Sequence, residues 1–542
     1  MLFNSYEFLF IFLPIALAAF FLLGAFSRSW ALSSIIVASL VFYAWWRPLN
    51  VLIILPTVLI NFAAARAIQH FLSQEKKRSA RTVLVAGIAY DVAFLGYFKY
   101  ANFTAIVLHD VFGRNLVLKE IILPLGISFI TFQLITFLVD VHGQRIKAFS
   151  LRDFVLFVLF FPQLIAGPIV HYREMMPQFK EATCKFNNEN ASVGLTLFAF
   201  GLFKKVVLAD SIAPLINPIY GQAALGEPIS LVTSWMAAIG FTMQIYFDFC
   251  GYTDMALGIA RFFGIRLPMN FNSPLRATNI IDFWLRWHIT LTRFLTAYIY
   301  NPLALSLTRR RLAKRKPVFG GRKSTLGAFL ECLMFPTVLT MFISGLWHGA
   351  AYTFVVWGLM HGFYISINHA WRLVGPRLWP DRESYDRVMN PVGFLITFVS
   401  VAASMIVFRA ATMGAAGNLL KGMFGLNGVA LPRSVIDRLG PVTGVLSDLG
   451  VVRGLEPGVD ANQLTVWIAG LTFIALVFPN TLQVLARYQP ALGVKEPPPE
   501  KRRGRLAIAW SASPVWAILL SVIAATGVFY LGGQSEFLYW QF

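Results

Sequence analysis

The sequence contains few charged residues and few cysteines. Only 13% of its 542 residues are Asp, Glu, Lys or Arg, whereas a soluble domain carries roughly 25%. Cys184, Cys250 and Cys332 are far apart and form no CxxC pair, so neither a disulfide framework nor a cysteine metal site is indicated. The sequence also lacks GxSxG, Walker A, GxGxxG, HExxH and H-x4-D motifs. Their absence excludes serine hydrolases, nucleotide-driven pumps and zincins.

Apolar residues dominate the chain, at 57% of the total. Long apolar runs of about 20 residues predict an all-α polytopic membrane protein. We expect roughly 11 to 14 membrane-embedded helices, of which those interrupted by Gly, Pro or charge are re-entrant or interfacial. The first run begins almost at Met1 and has no basic region or convincing cleavage site before it, so we predict a retained helix.

The net charge of +20 is concentrated in short basic clusters. Such a balance also occurs in nucleic-acid-binding proteins, but membrane proteins concentrate Lys and Arg in cytoplasmic loops. We therefore expect no nucleic-acid partner and predict that residues 76–81, 309–323 and 495–511 are cytoplasmic. Helix parity then places the loop 411–463, the tail 534–542 and both termini outside the cytoplasm.

His348 is the first candidate for a catalytic residue. It lies between two apolar segments in the sequence Ser344-Gly-Leu-Trp-His-Gly-Ala-Ala351, where a polar group is costly and is a functional candidate by default. A neutral imidazole there would accept a hydroxyl proton. The neighbouring Trp347 is a candidate for lining the substrate path. Position alone is equally compatible with a histidine that only hydrogen-bonds a neighbouring helix.

His288 is the second candidate, in the sequence Phe283-Trp-Leu-Arg-Trp-His-Ile-Thr290. With Asp282 and Arg286 it interrupts an aromatic stretch, which fits a polar group that orients the donor or His348. An interfacial helix with aromatic anchors explains the same pattern.

Three further polar residues lie in the segment 244–254. Gln244 and Asp248 are four residues apart and share one helical face, and Asp254 follows. These residues line a polar tunnel in one interpretation and form a structural hydrogen-bond network between helices in the other. In the segment 161–168 two prolines and a glycine interrupt an apolar run. This pattern predicts either a re-entrant segment or a simple kink.

Together these motifs resemble the membrane-bound O-acyltransferase superfamily, in its bacterial alginate O-acetyltransferase and teichoic-acid D-alanyl transfer branch. The resemblance rests on five motifs in sequence order: Phe161-Pro-Gln-Leu-Ile-Ala-Gly-Pro-Ile169, the segment 244–258, Asn270-Phe-Asn272, Phe283–His288 and Gly345–Ala351. It covers the chain to about Arg409, with a core of about 80–410 in a single domain 1–542. One departure is the sequence Tyr300-Asn-Pro-Leu-Ala-Leu, where alginate-type relatives have Tyr-x-Pro-Leu-Gly-Gly, so alginate itself is not assumed as the acceptor.

The resemblance implies a ring of helices around a thin central catalytic tunnel, in a bacterial inner-membrane protein. It implies His348 as the catalytic residue, with His288 beside it. It implies transfer of an acyl group, chiefly acetyl, to an extracytoplasmic polysaccharide, with no bound cofactor or metal. The donor is an acyl-CoA or an acyl carrier protein thioester at the cytoplasmic face. Membrane lipids and a periplasmic acetyltransferase are the other expected partners.

The C-terminal segment Glu536–Phe542 resembles the companion peptide of teichoic-acid D-alanylation, which makes Tyr539 a candidate acyl acceptor. An interfacial aromatic anchor explains the same residues. Two alternatives stay open for the whole chain: a non-enzymatic flippase or exporter, and a lipid or protein O-acyltransferase.

Overall fold

The computed structural model describes residues 1–114, 121–181, 183–320, 324–440, 442–494, 508–532 and 538. The chain forms two compact units. The first comprises Met1–Phe203, Gly251–Asn270 and Thr481–Gln534, and the second comprises Lys204–Cys250, Phe271–Asn480 and Ser535–Phe542. Most of the basic linker 495–511 and most of the tail 534–542, with Tyr539, lie outside the described residues.

Ten helices open the chain, all in the first unit. They are α1 (Leu13–Phe26), α2 (Arg28–Ala44), α3 (Leu49–Ser73), α4 (Lys77–Leu95), α5 (Ala101–Phe112), α6 (Ile127–His142), α7 (Leu151–Leu159), α8 (Phe161–Leu164), α9 (Tyr172–Glu181) and α10 (Asn188–Phe203).

The remaining helices begin in the second unit and return to the first at their end. They are α11 (Asp210–Ala224), α12 (Leu231–Phe262, shared by both units), α13 (Ile280–Arg286), α14 (Ile289–Leu295), α15 (Asn301–Ala313), α16 (Leu326–Phe329), α17 (Phe335–His348), α18 (Tyr352–Leu378), α19 (Arg382–Arg409), α20 (Met413–Met423), α21 (Arg433–Ile436), α22 (Val442–Asp448), α23 (Ala461–Val477), α24 (Thr481–Val484) and α25 (Pro514–Phe529). π-helical turns continue several of these helices, for example Lys204–Ala209 before α11 and Leu330–Met334 before α17.

Seven helical segments of the described chain are long and apolar enough to cross a membrane. They are Phe8–Phe26, Leu49–Ser73, Lys77–Phe112, Asn188–Ala224, Leu326–His348, Arg382–Arg409 and Pro514–Gly532. Three shorter apolar helices, α2, α6 and α23, accompany them. Many large apolar side chains on these segments face outward, such as Leu22, Leu52 and Ile518, as expected for helices surrounded by lipid. The prediction of an all-α polytopic membrane protein is confirmed.

The segment 161–168 is a true break in the helical backbone. Helix α7 ends because Phe160 adopts an extended ψ of 107°, and α8 restarts for one turn with Pro162 near its beginning. The backbone N–H of Phe161 donates to Ser39 Oγ at 3.1 Å. Gln163 Nε2 donates to the carbonyl of Phe157 at 2.6 Å. A buried backbone needs such partners, so the break is a built feature of the first unit.

The segment 411–463 is folded. It contains α20, α21, α22 and a small parallel sheet of β1 (Val429–Leu431) and β2 (Val451–Arg453). Glu456 accepts hydrogen bonds from the backbone of Ser230, at 2.6 Å, and from the hydroxyl of Thr233. Trp235 Nε1 donates to the carbonyl of Met423 at 3.1 Å. These bonds attach the segment to the beginning of α12.

Candidate active site

His348 is the last residue of α17, and its side chain is 6% exposed. The following residue, Gly349, has extended backbone and ends the helix. Four rings surround the imidazole, with centroid distances of 4.8 Å to Trp347, 5.0 Å to Trp357, 5.4 Å to Phe408 and 6.5 Å to His288. The ring therefore lies in an aromatic enclosure from which bulk water is largely excluded.

Glycines allow α17 and α18 to approach closely enough to form this enclosure. A Cβ on Gly345 would lie 2.2 Å from the carbonyl oxygen of Phe354 and 3.0 Å from the Cα of Gly358. A Cβ on Gly349 would lie 2.1 Å from the ring of Phe354. Real Cβ atoms do not come so near, so contact with the backbone of α18 requires glycine at position 345 and contact with the Phe354 ring requires glycine at position 349.

His288 lies at the junction between α13 and α14. It is fully buried and adopts the left-handed conformation, with φ of 44° and ψ of 53°. This conformation is uncommon for non-glycine residues, although histidine adopts it more readily than most. The His288 carbonyl accepts from the N–H of Thr292 at 3.1 Å, and the hydroxyl of Thr292 donates to the carbonyl of Trp284 at 3.1 Å. The turn is thus held in place on both sides.

The turn points the His288 ring toward His348. Its centroid lies 4.8 Å from Phe249 of α12, 5.8 Å from Trp347 and 6.5 Å from His348. His288 lies outside the seven candidate spans, and burial lowers the pKa of its imidazole to about 3. The ring is therefore neutral at physiological pH and acts in proximity to His348 without carrying charge.

A third histidine, His361 of α18, belongs to the same cluster and was missed in the sequence. Its Nδ1 accepts from Trp284 Nε1 at 3.3 Å, and its Nε2 donates to Ser404 Oγ at 2.9 Å. The Ser404 hydroxyl donates in turn to the carbonyl of Val401 at 2.7 Å. This chain links α13, α18 and α19 and fixes the Nε2–H tautomer of His361. The only available sequence signal was a histidine 13 residues after His348 within an apolar run.

Asp282 and Arg286 are paired with each other at the partly exposed side of α13. Arg286 Nε lies 2.8 Å from Asp282 Oδ1, and the side chains of Arg286 and Asp282 are 35% and 27% exposed respectively. The backbone N–H of Asp282 also donates to Asn279 Oδ1 at 3.0 Å, which caps the beginning of α13. This i, i+4 pair stabilises the short helix α13 that carries Trp284 and precedes His288.

Gln244 and Asp248 lie on one face of α12, and both are buried. Asp248 pairs with Lys205 at 2.6 Å, and Lys205 also contacts Asp210 at 2.6 Å. Lys205 and Asp248 are each 1% exposed. Each charge compensates the other, because an unpaired charge would be costly in these apolar surroundings. The Oε1 atom of Gln244 has no hydrogen-bond partner among the described residues. Another face of α12 carries Phe249, which contacts His288.

Two further residues, Asp254 and Tyr539, were also predicted to belong to the site. Asp254 is buried on the part of α12 that belongs to the first unit, and Tyr539 lies outside the described residues. Within the described ranges no group of three or more His, Cys, Asp or Glu side chains is arranged to hold a metal ion.

Comparison with known proteins adds the relationships of the chain. Residues 9–319 match the profile of the MBOAT, membrane-bound O-acyltransferase family. The chain is 36% identical to the peptidoglycan O-acetyltransferase of Helicobacter pylori over 459 residues, which cover 80% of this chain and 81% of that protein. It is 33% identical to the “Probable alginate O-acetylase AlgI” of Pseudomonas aeruginosa over the full length of both chains. The teichoic acid D-alanyltransferase of Streptococcus thermophilus is 27% identical over 295 residues, 52% of this chain and 68% of that one.

Proposed function

The chain belongs to the membrane-bound O-acyltransferase family and is a multi-pass membrane acyltransferase, and from this premise we propose that it transfers an acetyl group from a cytoplasmic thioester to a hydroxyl of an extracytoplasmic polysaccharide. The observation that carries this proposal is the buried pair of imidazoles, His348 and His288, with ring centroids 6.5 Å apart in one aromatic enclosure.

The proposed reaction needs only the two substrates and one base. His348 takes the proton of the attacking hydroxyl, and the oxygen forms a bond to the thioester carbonyl carbon. The carbon–sulfur bond then breaks, and the departing thiolate takes the proton back from the imidazolium. Apart from His348, the main contribution is to hold two substrates together in a site with little water.

The acetyl group and the polysaccharide acceptor are proposed by similarity. The relatives compared above are named for O-acetylation of peptidoglycan or alginate and for D-alanylation of teichoic acid. We propose a bacterial inner-membrane location, with extracytoplasmic termini and a periplasmic acetyltransferase as partner. Mass spectrometry of envelope polysaccharides from a deletion strain tests the function: loss of ester-linked acetyl groups is expected. An unchanged acetyl content of every envelope polymer would reject this function and favour an exporter.

We propose that the donor approaches from the side of the basic segment 309–323. Arg309, Arg310 and Lys314 are exposed, whereas Arg311 is buried and pairs with Glu331 at 2.6 Å. The exposed cations would attract an anionic donor such as coenzyme A or an acidic carrier protein. They would equally set the orientation of the chain.

The orientation can be measured with two introduced cysteines, because the three native cysteines are buried. Ser324 follows the basic segment and Ser447 lies in the segment 411–463, and both are exposed. In intact spheroplasts, we expect a membrane-impermeant maleimide to label Ser447→Cys fully and Ser324→Cys only after permeabilisation. Labelling of Ser324→Cys from outside would contradict the proposed orientation.

We further propose Tyr539 as a transient acyl acceptor. A phenol has a pKa of about 10, so phenoxide leaves more readily than a sugar alkoxide and an acyl-tyrosine retains transfer potential. This intermediate would divide one transfer across the membrane into two steps.

The variant Tyr539→Phe separates the carrier from the anchor, because it keeps the aromatic ring and removes only the hydroxyl. We expect ester-linked acetyl on the polysaccharide to fall to background in this variant. The control Trp540→Phe is expected to retain at least half of the wild-type ester content. Wild-type esterification by Tyr539→Phe would assign Tyr539 to membrane anchoring alone.

A further inference from the structure

Two buried polar atoms beside His348 have no hydrogen-bond partner among the described residues. They are the indole nitrogen Nε1 of Trp357 and the hydroxyl oxygen of Ser344. Trp357 is 1% exposed and Ser344 is 0% exposed. Most buried polar groups in proteins are satisfied, as both ring nitrogens of the neighbouring His361 are.

Ser344 lies on α17, the helix that ends at His348, and Trp357 lies on α18, the next helix. Ser344 lies one helical turn before His348 and therefore shares its face. Trp357 precedes Gly358, whose backbone closely approaches Gly345 of α17. The Trp357 ring is in edge contact with His348, at a centroid distance of 5.0 Å and an interplanar angle of 84°. The Trp357 ring thus contacts the ring that is proposed to act as the base, and Ser344 lies one turn away on the face of α17 that carries this ring.

An acyl transfer to a hydroxyl needs donors of this kind. When the hydroxyl oxygen attacks the thioester carbon, negative charge develops on the carbonyl oxygen. Fixed donors in a water-poor site stabilise that charge more effectively than water does. Their surroundings here are apolar, since Trp357 packs on Phe408 at 5.2 Å and Trp284 at 5.9 Å. A hydrogen-bond acceptor on the substrate would give both donors the partner that they lack.

We propose that the Trp357 indole N–H and the Ser344 hydroxyl bind the carbonyl oxygen of the acyl donor and stabilise the oxyanion formed when the acceptor attacks. This assignment rests on the proposed function. It adds to that function the groups that bind the carbonyl oxygen of the donor, while His348 takes the proton of the acceptor hydroxyl. No bond to either residue forms or breaks during the reaction.

The same helix supplies a matched control. Thr340 also has a buried hydroxyl without a partner among the described residues. It lies eight residues before His348 on α17, about 12 Å away along the helix axis at a rise of 1.5 Å per residue. A hydroxyl at this distance cannot reach an oxygen positioned beside the imidazole.

The test uses purified full-length protein in lipid nanodiscs with acetyl-CoA as donor, an oligosaccharide as acceptor and release of free thiol as the readout. Trp357→Phe removes the N–H and keeps an aromatic ring. We expect it to lower kcat about 10²-fold, as loss of one oxyanion donor does, with KM for acetyl-CoA changed less than threefold. Ser344→Ala is expected to lower kcat about tenfold, and Thr340→Val to stay within twofold of wild type.

A second donor distinguishes oxyanion binding from structural damage. In a dithioacetyl analogue of the donor, sulfur replaces the carbonyl oxygen and accepts hydrogen bonds weakly. Loss of the N–H should therefore slow the oxygen donor at least tenfold more than the sulfur donor. Equal slowing of both donors, or a kcat within threefold of wild type, would overturn the proposal. If thermal melting shows that Trp357→Phe is unfolded, the same comparison of the two donors is made with Ser344→Ala, and its result decides whether the proposal stands.

The proposed function and the assignment of Trp357 and Ser344 would be contradicted by different results. If wild-type protein releases no thiol from acetyl-CoA or from an acetylated carrier protein, the proposed function fails at the donor. If wild-type protein releases thiol and the two variants do so equally well from both donors, only the assignment of Trp357 and Ser344 fails.

Discussion

Replacing His348 with alanine is expected to lower acyl transfer by about 10²- to 10⁴-fold, the range that one positioned general base contributes. The buried imidazole is enclosed by Trp347, Trp357 and Phe408, so no water-borne base can readily replace it. The measurement is ester formation by purified protein, with the amount of membrane-inserted protein determined in parallel.

The shape-preserving variant His348→Gln removes the basic nitrogen and fills much of the space of the ring. It should be as inactive as His348→Ala while melting closer to wild type, because the alanine variant leaves a cavity among packed rings. His369→Ala provides the control: His369 lies on α18, is only partly buried, and follows Trp357 by more than three turns. Normal esterification by either His348 variant would end its assignment as the base, and an export function would become the stronger hypothesis.

The sequence was sufficient to select His348 and His288 as candidates, for a physical reason. An imidazole in an apolar run is costly without a role, and both His348 and His288 stand in such runs with aromatic neighbours. The helical character of the chain was predictable from the same runs. The short distance between the two rings was not, because it arises from a left-handed turn at His288 and a glycine contact between α17 and α18.

Polar residues were harder to interpret because the sequence does not reveal their partners. Asp248 was a candidate for lining a tunnel, and the structure places it against Lys205 at 2.6 Å, more than 40 residues away in sequence. Asp282 and Arg286 pair with each other across one helical turn. Burial alone therefore does not distinguish a charge held in an ion pair from a reactive group. The distinction requires the bonding partners of each group.

Trp357 and His361 illustrate a different limit. Both occur in an apolar helix, where the sequence alone does not distinguish a packing residue from a functional one. In the structure, His361 receives the Trp284 N–H and donates to Ser404, whereas the Trp357 N–H has no partner among the residues described. The two residues are four apart on one helix and differ only in hydrogen bonding, which composition and periodicity do not encode.

Substitution of His288 is expected to reduce activity about 10²-fold through misplacement of substrate or of His348, since an error of 1 Å at a reacting centre has an effect of this size. His288→Asn is the informative variant, because asparagine tolerates the left-handed backbone that His288 adopts. Alanine adopts the left-handed backbone less readily than histidine or asparagine, so His288→Ala adds backbone strain at this position. A lower melting temperature for alanine than for asparagine, with similar loss of activity, would separate the strain from the function of the side chain.

The pH profile then distinguishes positioning from proton transfer at His288. Because burial lowers the pKa of this imidazole to about 3, we expect the ring to contribute no titration between pH 5 and 9. The profile of kcat against pH for His288→Asn should therefore keep the shape of the wild-type profile at a lower height. A positioning role also predicts that KM for the thioester donor rises while kcat falls. Disappearance of one limb of the profile would instead make His288 a participant in proton transfer, and unchanged kinetics would leave it a packing residue between Phe249 and Trp347.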